Sequence, residues 1–380
     1  MKILFVSMNS IHFRRWSDQL RDSGHELYWF DILDQGYAPS MDYMTQITGW
    51  KKGFLKKRGR TFIKNRLPRL YNALVHKYDT PVDIAFAKAL LEIQPDVVHS
   101  FALYVSCAPI LSVMEVNKHV NWVYSAWGSD LYYYRKTPSY LEDIQKVLPR
   151  INYLFTDCKR DYKIAQELGF VGTFLGVFPG GGGFDLKAFN AVKTPFENRK
   201  IIAVKGYQNR SGRAVSVLQA LVNIGHHLEG YEVVVFGASN PDVFVFENSK
   251  IPAIRVLKEI SHDELISLLG SSKIYIGNSN SDGMPNTLLE AMCAGAFPIQ
   301  SNPGGATNEI IEDGLNGLLI NDCEDVSAIA RCILRALKDS EMIADGVKVN
   351  DKNLVFELER QSLKIQVLKA YATLNISKHD

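Results

Sequence analysis

The sequence predicts an α/β protein built as two doubly wound, Rossmann-like domains. Three observations carry that prediction. Short apolar runs alternate with helix-period segments, the signature of βαβ crossovers and a parallel sheet covered on both faces. A length of 380 residues exceeds what one ordinary core holds. The alternation also restarts after the tetraglycine Gly180-Gly181-Gly182-Gly183.

Taken in order, Ile3–Val6 reads as a buried strand, Phe13–Asp22 as a helix stopped by Ser23-Gly24, and Leu27–Phe30 as the next strand. A helix is expected over Ile84–Ile93, ended by Pro95, and strands at Val97-Val98, Trp122–Tyr124 and Tyr153–Phe155. Ser100–Met114 is uncharged over 15 residues, too short to span a bilayer, and reads as a buried helix. The four glycines suit a hinge or a loop approached closely by other chain. Beyond them, strands are expected at Ile201–Val204, Glu232–Phe236, Lys273–Ile276 and Phe297–Gln300. Helices are expected at Ala214–Ile224, His262–Leu269, Asn286–Cys293 and Val326–Leu337. The domains are drawn at 1–190 and 191–357, with a closing amphipathic helix in 358–380 that packs back on the first domain.

Composition narrows the function. Hydrophobic residues make up 46% and charged residues 22%, which excludes a disordered, collagen-like or disulfide-stapled chain. A net charge of +2 gives no global field for gripping nucleic acid, so no nucleic-acid partner is expected. The charge is instead local. Tyr43–Tyr78 holds ten Lys or Arg and no acid, while the other 33 basic residues face 41 acidic ones. Within it, Lys51–Arg69 interleaves Phe54, Leu55, Phe62 and Ile63 with nine cations, just after Trp50. Residues 50–70 are therefore expected to touch an anionic membrane surface or an anionic lipid-linked acceptor. Five scattered cysteines without a C-x-x-C pair argue for reduced thiols in the cytoplasm, and the opening apolar run is too short for a secretory signal.

The densest chemical signal is the run Asn278–Met292. A strand ends, a polar loop follows, and a helix starts near Pro285, whose ring suits a first helical position. Free amide groups of that first turn, with the helix dipole, favour a phosphate or developing negative charge. Asp282 precedes the helix and Glu290 lies inside it; carboxylates at those places suit the paired hydroxyls of a sugar or ribose. A second glycine loop, Asn302–Glu309, is expected to open another helix after the next strand. Ligands of open α/β sheets bind at such carboxyl ends. The loop Lys205–Arg213 adds Lys205, Arg210 and Arg213 for phosphate oxygens, without the spacing of a Walker loop.

These residues resemble the donor-site signature of retaining GT-B glycosyltransferases of the family 4-like group, the glycosyl transferases group 1. The signature appears as Asp282 and Glu290 with seven residues between them, Ala291-Met292, Gly295 to Pro298, Gly304-Gly305 and Asp313-Gly314-Leu315-Asn316-Gly317. The likeness extends through Lys205–Arg213, and more loosely to Pro95–His99 and Trp127–Asp130. It implies two Rossmann-like domains facing across a cleft, the first on the acceptor side, the second binding a nucleotide-diphosphate sugar as donor substrate. Glu290 would hold the ribose, Asp282 the transferred sugar, and the backbone of Gly283, Met284, Pro285 and Asn286 the sugar and diphosphate. Arg210 or Arg213 would hold the diphosphate beside Lys205. Here Asp282 is one methylene shorter than the family's usual Glu, and Trp127 stands where the family often has His. His99 and Asp130 are expected at strand ends facing the cleft, where Asp130 would position an acceptor hydroxyl.

The resemblance implies a retaining, hexosyltransferase-type enzyme passing sugar to a glycan or lipid-linked acceptor in surface polysaccharide or glycoconjugate synthesis. No cofactor is expected. No Asp-x-Asp pair occurs in the chain, so metal-independent stabilisation of the leaving diphosphate is the expected mechanism. The alternatives are a nucleotide-sugar epimerase or hydrolase of the same fold, and a catalytically silent nucleotide-sugar-binding protein.

Overall fold

A computed structural model describes residues 1–51 and 80–375. Most of the basic run that sequence assigns to a membrane surface lies outside those residues. Trp50, expected among its anchors, is half-buried: it stacks on Phe30 at 5.3 Å and donates its indole N–H to the Asp31 carbonyl. No described helix is long and apolar enough to cross a membrane.

The chain divides into two compact units, one of residues 1–156, 162–176 and 368–380, the other of 157–161 and 177–367. The first holds a parallel sheet of β1 (Lys2–Ser7), β2 (Glu26–Asp31), β3 (Thr45–Ile47), β4 (Val97–Phe101), β5 (Asn121–Ser125), β6 (Tyr153–Thr156) and β7 (Thr173–Val177). Its order is β3-β2-β1-β4-β5-β6-β7, with the switch between β1 and β4. Central strands are apolar on both faces because helices cover both, so Leu4, Val6, Val98, Trp122 and Tyr124 pack with Phe86 and Ile144. The described helices of eight residues or more are α1 (Ile11–Asp18), α2 (Val82–Ile93), α3 (Pro138–Val147) and α4 (Lys159–Glu167), the last shared with the 157–161 segment. Ser10 starts α1 by accepting the Phe13 amide, and Gln94 ends α2 in a left-handed turn ahead of Pro95. The single helix expected over Ser100–Met114 is broken: β4 runs to Phe101, and short turns at Leu103–Ser106 and Ala108–Ile110 precede Leu111–Val116. Pro109, with no N–H and a fixed φ, enforces the break.

The second unit holds β8 (Ile201–Lys205), β9 (Glu232–Phe236), β10 (Ile254–Leu257), β11 (Ser272–Gly277), β12 (Phe297–Ser301) and β13 (Leu318–Ile320), ordered β10-β9-β8-β11-β12-β13. Its helices of eight residues or more are α5 (Ala214–Asn223), α6 (His262–Ser271), α7 (Asn286–Cys293), α8 (Val326–Lys338), α9 (Ser340–Asn353) and α10 (Arg360–Ala372). Residues 177–190, drawn with the first domain from sequence, belong here. Phe184 and Phe189 sit in a core with Leu288 and Met292, and that burial decides their allegiance. The glycine run is a close-approach loop: a Cβ on Gly181 would lie 2.8 Å from Asn286 Oδ1, and one on Gly183 2.9 Å from the Leu358 carbonyl.

Helix α10 is divided, its residues from Leu368 onward counting with the first unit. There the Tyr371 hydroxyl lies 3.3 Å from Trp16 Nε1 and 2.5 Å from His99 Nδ1, while His99 Nε2 lies 2.8 Å from Ser125 Oγ. Trp16 can only donate, so Tyr371 accepts from it, and the His99 ring bridges Tyr371 and Ser125 through its two nitrogens. His99, expected to face a cleft, is instead fully buried, and burial holds its pKa well below the ordinary 6.5. Tyr371→Phe strands two buried polar atoms and should lower stability by about 1–3 kcal/mol in urea melts. Below pH ~6.5 the unfolded chain gains a proton that buried His99 refuses, so this residue makes stability fall as pH drops. The stability lost between pH 7.5 and 5.5 should therefore shrink in His99→Gln; an unchanged loss would show that the imidazole titrates in place.

Candidate functional site

The carboxyl ends of β8, β11 and β12 gather the chemistry within the second unit. After β8 the chain turns sharply through 206–213. Asn209 Oδ1 accepts the amides of Ser211 and Gly212, both at 2.9 Å, and a Cβ on Gly212 would lie 2.2 Å from the Tyr207 carbonyl. This turn pairs with the loop after β11 through Asn280 N to Ser211 O at 2.9 Å and Arg213 N to Asn278 O at 3.0 Å. Helices α5 and α7 then begin at these strand ends: the first amides of α5 are taken by the Tyr207 carbonyl and by Gln208 Oε1, both at 3.1 Å, whereas no side chain caps the first turn of α7. The start of α7, with the positive end of its dipole, is thus left for a ligand. Pro285, expected inside α7, is its capping residue, and Asn286 is the first helical position.

Two sequence-selected cations separate in role. Arg213 is engaged by the protein: its Nε pairs with Glu324, and Nη1 donates to the carbonyls of Asn209 at 3.0 Å and Gly212 at 2.9 Å. It shapes the turn. Arg210 is exposed at the turn's tip, and Lys205 holds its ammonium 4.8 Å from the Tyr207 ring.

Asp282 is half-buried with Oδ1 3.0 Å from the Gly283 amide. Glu290 is 4% exposed, and its Oε1 lies 2.9 Å from His262 Nε2. Sequence reading took His262 only as a helix start, since nothing local links it to a carboxylate 28 residues on. Beneath them, burial pushes the Tyr275 hydroxyl pKa well above its usual value, and the charges of Asp282 and Glu290 add to the effect. Four buried side-chain atoms here have no hydrogen-bond partner among the described residues: Tyr275 OH, Asn278 Oδ1, Asn280 Oδ1 and Gln300 Oε1. Buried polar atoms are rarely left so, and a cluster of them marks a place built for polar company.

A buried segment braces this loop. Arg160 Nη1 donates to the carbonyls of Asp282 at 2.8 Å and Pro303 at 2.6 Å, tying the two glycine loops together. Asp161 holds the guanidinium at 2.8 Å, and both side chains are almost fully buried. The Asp157 carboxylate sits so near Gly283 that a Cβ there would lie 2.2 Å from its Oδ2. Burial first, then the charge of Asp161, raise the Asp157 pKa well above the carboxylate range. The second glycine loop departs from expectation. It forms two 3-10 turns, Pro303–Gly305 and Thr307–Glu309, because Asn302 Oδ1 takes the Thr307 and Asn308 amides. Glu309 accepts the amides of Lys159 at 2.6 Å and Arg160 at 2.8 Å, which fixes the start of α4.

Asp157, Cys158 and Asp161 bring potential metal-ligand atoms within 4.8 Å of one another. The group fits an arginine better than a cation: Arg160 already neutralises Asp161 from within it, and burial drives the Cys158 thiol far up, away from the thiolate a metal needs.

Asp130, in the first unit, is corrected from a catalytic to a structural part. It is 2% exposed, and its oxygens accept the amides of Leu103 at 2.9 Å and Trp127 at 3.0 Å and the Tyr124 hydroxyl. Its carboxylate thereby fixes the Trp127-Gly128 turn, where Trp127 packs on Phe101 and His12.

Comparison with known proteins adds a lineage for the second unit. Residues 187–348 match the family model described as glycosyl transferases group 1. An uncharacterized glycosyltransferase of Methanocaldococcus jannaschii is 31% identical over 85 residues, a stretch covering 22% of this chain and only 21% of that protein. In fold, the chain is similar to sucrose-phosphate synthase from Thermosynechococcus elongatus, with a TM-score of 0.72, 15% identity and 98% of each chain covered. It is also similar to Anabaena Alr3699/HepE in complex with UDP and glucose, with a TM-score of 0.65, 14% identity, and 98% of this chain and 100% of that one covered. Residues 187–348 thus resemble a glycosyl transferases group 1 domain, within a two-sheet α/β fold of the GT-B kind.

Proposed function

We propose that the protein is a retaining glycosyltransferase that moves a hexose from a nucleotide-diphosphate sugar to a hydroxyl of a glycan or lipid-linked glycan. The observation that carries this reading is the set of orphaned polar atoms on and just after β11 and β12, the strand ends from which the uncapped α7 follows. Acceptor oxygens at Asn278, Asn280 and Gln300 await hydroxyl donors, and the start of α7 awaits an anion. A sugar joined to a diphosphate supplies both. Anabaena Alr3699/HepE, which shares the fold, is described in complex with UDP-glucose.

In this reading Glu290 accepts the ribose hydroxyls and Asp282 those of the sugar. The backbone of Gly283 to Asn286 and the Arg210 guanidinium face the diphosphate, with Lys205 behind. As the anomeric C–O bond breaks, its electron pair goes to the diphosphate oxygen. Fixed dipoles and a guanidinium stabilise that charge without reorganising. The acceptor oxygen bonds the anomeric carbon on the same face, and its proton passes to the leaving diphosphate.

The test is a melting-temperature screen against uridine, guanosine and adenosine diphosphate sugars, followed by product analysis of the one that binds. One donor class should raise the melting temperature by several degrees near 100 Kd, about 2.7 kcal/mol of linkage. It should be consumed with the anomeric configuration kept, and more slowly in Arg210→Ala. No shift with any donor, or consumption unaffected by Arg210→Ala, would refute the assignment.

A further inference from the structure

The pair His262–Glu290 joins a buried carboxylate, its side chain 5% exposed, to a rim imidazole that is 41% exposed. The imidazole is not a loose surface group. Ser261 and Glu264 form a reciprocal capping box at the start of α6: Ser261 Oγ takes the Glu264 amide at 3.2 Å, and Glu264 Oε2 takes the Ser261 amide at 2.8 Å. That box pins the backbone of His262, the first helical residue. Helix α7, locked in its core by Leu288, Leu289 and Met292, pins Glu290. Two rigid elements thus fix both ends of the 2.9 Å contact from Nε2 to Oε1.

We propose that His262 is a positioning residue of the donor nucleotide site: through Nε2–H it fixes the Glu290 carboxylate in the orientation that reads ribose hydroxyls. The inference rests on the assignment of Glu290 to the ribose. An ionised carboxylate accepts only, so the hydrogen of this contact lies on Nε2. The choice of histidine has a physical reason. A lysine or arginine would cancel the charge on Glu290 and weaken it as an acceptor. An imidazole restrains the carboxylate through Nε2 and leaves its other lone pairs to take hydrogens from a vicinal diol. Without that restraint a side chain with three rotatable bonds would have to be ordered at each binding event.

The readout is selectivity for ribose over 2′-deoxyribose. Affinities of the full chain for UDP, ADP and GDP and their 2′-deoxy forms would be measured for the parent, Glu290→Gln, His262→Ala and His262→Gln. The parent should prefer the ribonucleotide by about tenfold, one charge-assisted hydrogen bond. Glu290→Gln should collapse that ratio. His262→Ala should cut it several-fold with little change in affinity for the 2′-deoxy form. His262→Gln, whose side-chain nitrogen can occupy the place of Nε2, should restore most of it. A ratio that survives His262→Ala but not Glu290→Gln would overturn the role of His262 while leaving Glu290 on the ribose. A ratio near one in the parent, or no binding of any of the three, would overturn the Glu290 assignment itself and this inference with it.

Discussion

Gly283→Ala should reduce kcat/KM for the donor at least about a hundredfold, the cost of misplacing reacting groups by ~1 Å. The new methyl would lie 2.2 and 2.3 Å from the two Asp157 oxygens, well inside van der Waals contact, so either the loop or the carboxyl must move. The carboxyl cannot yield freely: it accepts the Met284 amide and is packed beside Asp161 and Arg160. The loop therefore gives way, carrying Asp282 and the start of α7 with it. Asp157→Ala in the same chain opens the space and should recover part of the loss. Full activity in Gly283→Ala alone, measured by donor turnover, would show that the loop is not seated against Asp157.

Arg160→Ala should lower stability by about 3–5 kcal/mol, the range for removing one partner of a buried ion pair. Asp161, with a side chain 0% exposed, would keep its carboxylate without a counter-charge, and the Asp282 and Pro303 carbonyls would lose their donor. Burial works to lower the Arg160 pKa, but Asp161 and its neighbours more than offset it, so the guanidinium stays charged. Adding Asp161→Asn removes the stranded charge and should return much of the stability, a coupling that a double-mutant cycle in urea would read. A single variant that unfolds within about 1 kcal/mol of the parent would contradict the brace.

Strand and helix alternation was legible because central strands of a doubly wound sheet are apolar on both faces. Expected strands such as Ile201–Val204 and Phe297–Gln300 fall within a residue of β8 and β12. The edges were not legible. Strand β3 is three half-exposed residues, and β7 carries Gly176 and no fully buried residue, so neither presents an apolar run. At the candidate site, the Asp282-to-Glu290 spacing was visible because both carboxylates belong to one loop and helix. Arg160 was invisible: its carbonyl partners lie 122 and 143 residues away, and only folding gives a cation amid Asp157–Asp161 a meaning. Asp130 misled for the opposite reason. An acid after a strand looks poised for chemistry until its neighbours' amides are seen to use both oxygens.

Tyr371 reaches its histidine across 272 residues of intervening chain. On a ribosome that emits sequence from the amino end, β1 to β6 and their helices emerge long before the ring that completes their interior. Until then Trp16 and His99 have an open seat beside them, exposed to water or to chaperones. The first sheet to be synthesised is therefore among the last to be finished, and premature termination anywhere in the second unit would leave it incomplete.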